Sequence, residues 1–345
     1  MLNDKTILVT GGTGSFGKKL ISTILDQYQP KKVIVFSRDE LKQFEMQNME
    51  PFLTFNKKNV MRYFIGDVRD LERLKRAMEG VDVVVHAAAL KQVPAAEYNP
   101  FEAVKTNIIG GQNVIDSAIQ AGVGKVIALS TDKAAAPINL YGATKLTSDK
   151  LFVAANNFKG RHDIRFSVVR YGNVMGSRGS VIPFFMTRAK EGLLPVTDER
   201  MTRFNITLQE GVDFVLSSLE KMWGGELFVP KIPSYRILDL AEAIAPKAKI
   251  RIVGIRPGEK LHEEMITATD AISTVEFHEY FVILPSIEIF NVEDFRVRSN
   301  GYEGKFCEYG FSYNSGLNEK FLSVEELCEL ISKHVDGGKE VIYGD

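Results

Sequence analysis

The pattern of apolar and polar stretches predicts a repeating strand–helix order. Short apolar runs bounded by turn residues recur at Thr6–Thr10, Lys32–Phe36, Met61–Ile65, Val81–His86, Lys125–Leu129 and Phe166–Arg170. Runs of this length, rich in Val, Ile and Leu, suit strands buried on both faces of a parallel sheet. Between them lie segments with helical spacing. Leu20, Ile21, Ile24 and Leu25 follow the first run, Leu71–Met78 the third, and Phe101–Ala121 the fourth. A further helix opens near Tyr141. This alternation predicts an α/β fold with a doubly wound parallel sheet. It weakens after residue 171. Residues 285–322 read as polar, aromatic and irregular, and Ser323–His334 as a terminal helix with Ser323 and Glu326 in a capping box. Two regions are expected, 1–171 and 172–345, with strands of the second available to rejoin the first sheet.

Composition narrows the class. The chain has 345 residues, 45% apolar and 25% charged, with a net charge of −1. That balance gives no reason to expect a nucleic-acid or anionic-membrane partner. The two cysteines, Cys307 and Cys328, form no disulfide framework and are expected as free thiols in a reducing cytoplasm. The first apolar run is too short to span a bilayer, and no signal-peptide pattern precedes it. No metal site is expected.

The candidate chemistry gathers at strand ends. After the first strand comes Gly11-Gly12-Thr13-Gly14-Ser15-Phe16-Gly17, glycines in a strand-to-helix turn. Such a turn lets backbone approach a pyrophosphate seated on the helix start, the arrangement of a Rossmann-like fold; an ordinary glycine turn has the same composition. The second strand ends in Ser37-Arg38-Asp39-Glu40-Leu41-Lys42. Arg38 and Lys42 would suit a 2′-phosphate and favour NADP, although Asp39 keeps NAD open and both cations would be ordinary on a solvated helix start. Asp67, next to Val68, is a candidate for the adenine amino group or an N-cap for Leu71–Met78. Ala87 lets a cofactor lie against backbone, and Lys91 is a candidate for ligand phosphates or hydroxyls. His86 reads as a packed structural histidine. Thr106-Asn107 reads as packing against the site.

The densest stretch is Ser130–Lys145, off the carboxyl end of the fifth strand. It holds Thr131, Asp132, Lys133, Tyr141 and Lys145. Tyr141 and Lys145 share one helix face, where the ammonium should lower the phenol pKa from its ordinary value near 10 and make Tyr141 a proton acceptor. Further on, Asn173 and Arg178 lie in a glycine-rich loop suited to a phosphorylated substrate. Arg203 and Arg256 are candidates to clamp a diphosphate, and Glu259 to accept from ribose hydroxyls.

These motifs resemble those of the extended short-chain dehydrogenases/reductases acting on nucleotide sugars, and within them the inverting UDP-N-acetylglucosamine 4,6-dehydratases. TGGTGSFG, SRDELK, HAAALKQVP, LSTDKAAAPINLYGATK, RYGNVMGSRGS, MTRF and RPGEKLHE carry the likeness. Retaining dehydratases resemble Thr-Asp-Glu where this chain has Thr131-Asp132-Lys133, and simple 4-epimerases lack the acid–base pair. The resemblance implies NADP held by Thr13–Gly17, Ser37–Lys42, Asp67, Val68, Ala87, Lys91, Tyr141, Lys145 and Val174. It implies UDP-N-acetylglucosamine held by Lys91, Thr131, Asn173, Arg178, Val181, Arg203, Arg256 and Glu259. It implies a cycle in which Tyr141 takes the 4-hydroxyl proton as NADP takes hydride from carbon 4 and later returns it to carbon 6. Lys133 would remove the carbon 5 proton, and Asp132 would protonate the departing 6-hydroxyl. Lys133 must then be neutral, so its pKa has to fall, against the pull of an ionised Asp132. The product would feed pseudaminic acid synthesis and flagellin glycosylation, and the enzyme would be a homo-oligomer, with a hexamer among the sizes. A retaining dehydratase, a 4-epimerase and a non-catalytic NADP sensor are the rival readings; a sensor has no need of Tyr141 with Lys145.

Overall fold

The computed structural model describes residues 1–177, 179–298 and 303–343. Six parallel strands form the heart of the sheet: β1 (Thr6–Thr10), β2 (Lys32–Ser37), β3 (Met61–Ile65), β4 (Val83–His86), β5 (Lys125–Leu129) and β6 (Arg165–Val169). They lie in the order β3-β2-β1-β4-β5-β6. The order reverses between β1 and β4, and open sheets of this kind bind ligands at that point, outside the strand carboxyl ends.

All but the edge strand β3, which is only partly buried, are largely apolar on both faces because both faces are covered. Ile7 and Val9 of β1 pack with helices Ser15–Gln27 and Leu208–Lys221, while Leu8 packs on the opposite side with Leu71–Met78, Gly110–Ala121 and Leu140–Phe158. The fold class expected from the pattern is the one observed.

The second half differs in detail. Leu227–Pro230 joins β6 in parallel, and Tyr280–Ile283, Thr274–Glu276 and Lys305–Phe306 extend the sheet antiparallel. So 285–322 is less irregular than its composition implies: it also holds the helix Val292–Arg298 and the strand Tyr313–Asn314. Met201–Phe204, the MTRF segment that carries Arg203, is mostly strand (Thr202–Ile206) because it pairs with Ser234–Arg236 and Asn173–Val174. A separate apolar core joins helices Val181–Ala189, Ile237–Ile244 and Val324–His334. Ser323 and Glu326 form the capping box of the last. Among the described residues no helix is long and apolar enough to cross a membrane.

Candidate active site

A cleft of about 1670 Å³ runs along the carboxyl ends of β1, β4 and β5 and under the second core. At one end, Gly11 has a positive φ of 66°, and a Cβ there would meet the Ala88 nitrogen at 3.0 Å. A Cβ on Gly17 would meet Gly12 Cα at 2.6 Å, so this glycine sets how closely the helix start packs on the turn. Gly14 caps the helix Ser15–Gln27 without a side-chain bond, leaving the first-turn amides without a capping acceptor. That is a cradle for a pyrophosphate, and Thr13, Gly14, Ser15, Phe16 and Gly17 all line the cleft. The residues therefore fit a nicotinamide dinucleotide. Thr10 Oγ1 accepts from the Ala87 and Ala88 amides at 3.1 and 3.2 Å and shares a bond of 2.8 Å with His86 Nδ1. His86 is fully buried, which pushes its pKa down to about 3.

The expected 2′-phosphate pocket is already balanced by acids. Ser37, Arg38, Asp39 and Lys42 line the cleft, as do Asp67 and Val68. Lys42 Nζ lies 3.0 Å from Asp39, which also caps the helix Glu40–Gln47, and Arg38 lies 3.6 Å from Asp67. Glu40 and Leu41 are not among the lining residues, and Leu41 is 62% exposed, because Asp39 starts a helix whose first turn carries them off the cleft. Asp67 does not cap Leu71–Met78. Asp70 does, and Asp67 binds Arg69 instead. Burial opposes ionisation of Asp67, but bonds from Arg69 and the charge of Arg38 hold its carboxyl below the usual range.

The centre is built on a turn, Asp132–Ala134, capped by Thr131. Thr131 Oγ1 donates to Asp132 Oδ1 at 2.9 Å, and Lys133 Nζ donates to the same oxygen at 3.1 Å and to Asn173 Oδ1 at 3.4 Å. Asp132 is 1% exposed and lies beneath the cleft wall rather than in it. Asn139 caps the helix Leu140–Phe158 through the Gly142 amide, which brings Tyr141 and Lys145 into the cleft. Below them Asp149 accepts from Ser130 Oγ at 2.6 Å and pairs with Arg170 at 3.2 Å. Asn107, in a π-helical turn (Val104–Ile109), bonds both Leu90 backbone atoms and Thr144, and so ties the loop carrying Lys91 to the Tyr141 helix.

The electrostatics correct two expectations. Burial raises the Tyr141 phenol to about 12, and the partial relief comes from Lys133 rather than Lys145. Lys145 itself is lowered by burial, with Asp149 opposing. Burial also opposes the Lys133 charge, yet Asp132 and Glu263 outweigh it, so in the free chain the amine sits above its ordinary pKa instead of below. Asp132 moves the other way for an acid: burial raises it, Lys133 counteracts, and Glu263 adds to the rise.

Lys91, Thr131, Asn173, Val174, Val181, Arg203, Arg256 and Glu259 all line the same cleft. Arg178 lies outside the described residues. The two arginines are not equivalent. Arg203 donates to the Thr202 and Leu261 carbonyls at 2.7 and 3.1 Å and lies 3.7 Å from Glu263, so it is largely committed inward. Arg256 is 64% exposed, with Glu259 at 3.9 Å. Glu263 was missed by the sequence reading. It ends the RPGEKLHE stretch, next to Glu264 and more than a hundred residues from Lys133, and only the fold places its Oε1 3.3 Å from Nζ. Among the described residues, no group of His, Cys, Asp and Glu is arranged to hold a metal.

The sheet order, the glycine-lined helix start and the Tyr141–Lys145 helix define an extended short-chain dehydrogenase/reductase. Within that class the chain belongs to the polysaccharide biosynthesis protein family, whose model matches residues 7–285. It is 57% identical over 340 residues, 98% of this chain and 100% of the relative, to a Campylobacter jejuni protein named UDP-N-acetylglucosamine 4,6-dehydratase (inverting). It is 38% identical, over 96% of each chain, to a Rickettsia canadensis protein named UDP-glucose 4-epimerase. The X-ray structure of Pen from Bacillus thuringiensis superimposes with a TM-score of 0.85 at 40% identity, covering 96% of this chain and 98% of that one.

Proposed function

We propose that this chain is a hydro-lyase that dehydrates UDP-N-acetylglucosamine across carbons 4, 5 and 6 with inversion at carbon 5. The product would be UDP-2-acetamido-2,6-dideoxy-β-L-arabino-hex-4-ulose. The observation that carries the reading is the contact of Lys133 with the buried Asp132 at 3.1 Å, with Lys133 and Tyr141 both lining the cleft. An epimerase needs no such acid–base pair.

A bound nicotinamide cofactor supplies reversible hydride transfer between the sugar and its ring. Tyr141, whose phenol is held at about 12 by burial in the free chain, would accept the 4-hydroxyl proton once the positive charge of a bound oxidised nicotinamide favours its phenolate, and the 4-keto group then acidifies carbon 5. Lys133 removes that proton, and Asp132 donates one to the departing 6-hydroxyl, which leaves as water. The charge on Lys133 is reconciled by one proton transfer. Moving a proton from Nζ to Asp132 Oδ1 breaks an N–H bond, forms an O–H bond and yields the neutral amine and the carboxylic acid together. Burial of Asp132 favours its protonated form and so supports this exchange, while Asp132 and Glu263 hold the Lys133 proton against it, which makes the neutral pair the minor form.

Arg38 and Lys42 support NADP over NAD. Arg256 and Glu259 are the groups we assign to the diphosphate and ribose, with Asn173, Val181, Thr131 and Lys91 nearer the sugar. The free thiols Cys307 and Cys328 support a cytoplasmic enzyme, and exposed Tyr98 and Phe101 support a homo-oligomer. Pseudaminic acid synthesis is the pathway that would consume the product.

The test is NMR of the product formed from UDP-N-acetylglucosamine in deuterated water. Loss of water with one solvent deuteron at carbon 5 in the inverted configuration supports the proposal. Retained configuration assigns the chain to the retaining dehydratases. A 4-epimer without loss of water overturns dehydration altogether.

A further inference from the structure

Glu263 is a second carboxylate on the Lys133 amine, at 3.3 Å, beside Asp132 at 3.1 Å. It precedes the strand Glu264–Ile266, and its backbone is locked on both sides. Its amide donates to Ser315 Oγ at 2.9 Å, and its carbonyl accepts from the Ser315 amide at 2.8 Å. The residue is 4% exposed. Its Oε1 is shared between Lys133 Nζ at 3.3 Å and Arg203 Nε at 3.7 Å, while Oε2 is buried with no hydrogen-bond partner. A carboxylate serving only to neutralise Arg203 would gain most by facing the guanidinium with both oxygens. Here one oxygen is divided between two cations and the other stays unbonded, which is costly for a buried charge. The position is explained by Lys133.

We propose that Glu263 is a positioning residue for the elimination: its carboxylate holds the Lys133 amine against Asp132 and ties the acid–base pair to Arg203. This rests on the roles given above to Lys133 and Asp132. The charged and titratable groups around Glu263 are Lys133 and Asp132 on the catalytic turn, Arg203 on Thr202–Ile206, and Lys260 and His262 on its own loop, with Tyr235 and Tyr141 close to the lysine. Burial opposes its ionisation, but Lys133, Arg203 and Lys260 keep it below the ordinary carboxyl range, so it is the standing anion of the group. One anion beside an amine and an acid favours the protonated form of both. Glu263 therefore sets the pH window in which Asp132 still carries a proton and Lys133 can surrender one.

The experiment compares kcat/KM against pH for the holoenzyme, Glu263→Gln and Glu263→Asp, with cofactor retention as the check on folding. Neutralising the charge should move both limbs of the profile to lower pH, by about one unit for a charge at this distance. Aspartate keeps the charge but withdraws it by a methylene, so its limbs should fall between the other two. A merely structural role would lower the rate or the stability and leave the limbs in place, and that result overturns the inference. If the glutamine variant loses its cofactor, the aspartate limbs decide alone: displaced downward they uphold it, coincident with wild type they overturn it. Lys133→Ala separates this inference from the one beneath it. Near-normal turnover in that variant removes the base assignment itself. Lost carbon 5 exchange there, with wild-type limbs in both Glu263 variants, removes only the role of Glu263.

Discussion

Gly142 shows how one residue can fix a catalytic geometry without taking part in it. A Cβ at this position would stand 2.1 Å from the Lys133 carbonyl oxygen. The helix carrying Tyr141 is therefore pressed directly onto the turn carrying Lys133, and no larger residue fits between them. Gly142→Ala must push the two apart. A displacement near 1 Å costs on the order of 100-fold in rate when reacting groups are prealigned, so kcat should fall by about that factor while cofactor is retained; wild-type kcat would mean that the helix yields freely. His86 allows a second test at this scale. Its pKa in the fold is about 3, against about 6.5 for an unconstrained histidine. Between those values the unfolded chain binds the extra proton, so stability is full above the upper value and falls as pH drops through the window. Urea melts should show a loss of about 2 kcal/mol between pH 7 and 5 from this group, removed in His86→Gln. Equal pH dependence in the two proteins would refute the assignment.

At the scale of elements, legibility followed the range of the interactions. The strands β1, β2, β4, β5 and β6 could be read because burial on both faces demands apolar runs, a local property of sequence, and the partly buried edge strand β3 by its apolar Met61, Phe64 and Ile65. The Ser323–Glu326 capping box was readable for the same reason. The strand Thr202–Ile206 was not, because its polar residues are held by partners some thirty residues away on either side of the chain. The π-helical turn at Val104–Ile109 was also hidden: an extra residue in a helix leaves the apolar pattern nearly intact, though Thr106-Asn107 marked the place. The end of β2 shows a different limit. Ser37, Arg38 and Lys42 were legible as types, but Asp39 and Asp67 pair with the two cations in three dimensions. A 2′-phosphate would have to draw Arg38 from Asp67. Arg38→Ala should therefore weaken NADP by about 10-fold or more, a charged hydrogen bond being worth roughly 1.5–3 kcal/mol, and leave NAD much less affected. Equal losses measured by titration of both cofactors would withdraw the NADP assignment.

For the molecule as a whole, the cleft is a seam between the sheet with its two covered faces and the core formed by Val181–Ala189, Ile237–Ile244 and Val324–His334. Polar stitches cross it near the catalytic turn. Asn139 Nδ2 donates to the Gly258 carbonyl at 2.9 Å, and Lys260 Nζ to the Ala135 carbonyl at 2.6 Å. The segment 249–256 beside them is mostly exposed. A uridine diphosphate held by Arg256 and Glu259 on one side and approached by the catalytic turn on the other would add to these stitches. Binding only the folded form, it should stabilise by about 2.7 kcal/mol at a hundred times its Kd. UDP should thus raise Tm, and hydrogen exchange should slow in amides around 253–263 as well as in the turn 131–135. Arg256→Ala should lose most of this response to UDP but keep the full response to cofactor, whose cradle at Gly14 lies between β1 and the helix Ser15–Gln27. Arg203→Ala should lose less affinity for UDP than Arg256→Ala, since its donors already serve Thr202 and Leu261, and should lose more in kcat, since it borders Glu263 and Lys133. If instead both variants bind UDP as tightly as wild type, the diphosphate is held elsewhere in the cleft. If UDP protects only one side of the seam, the substrate does not bridge it.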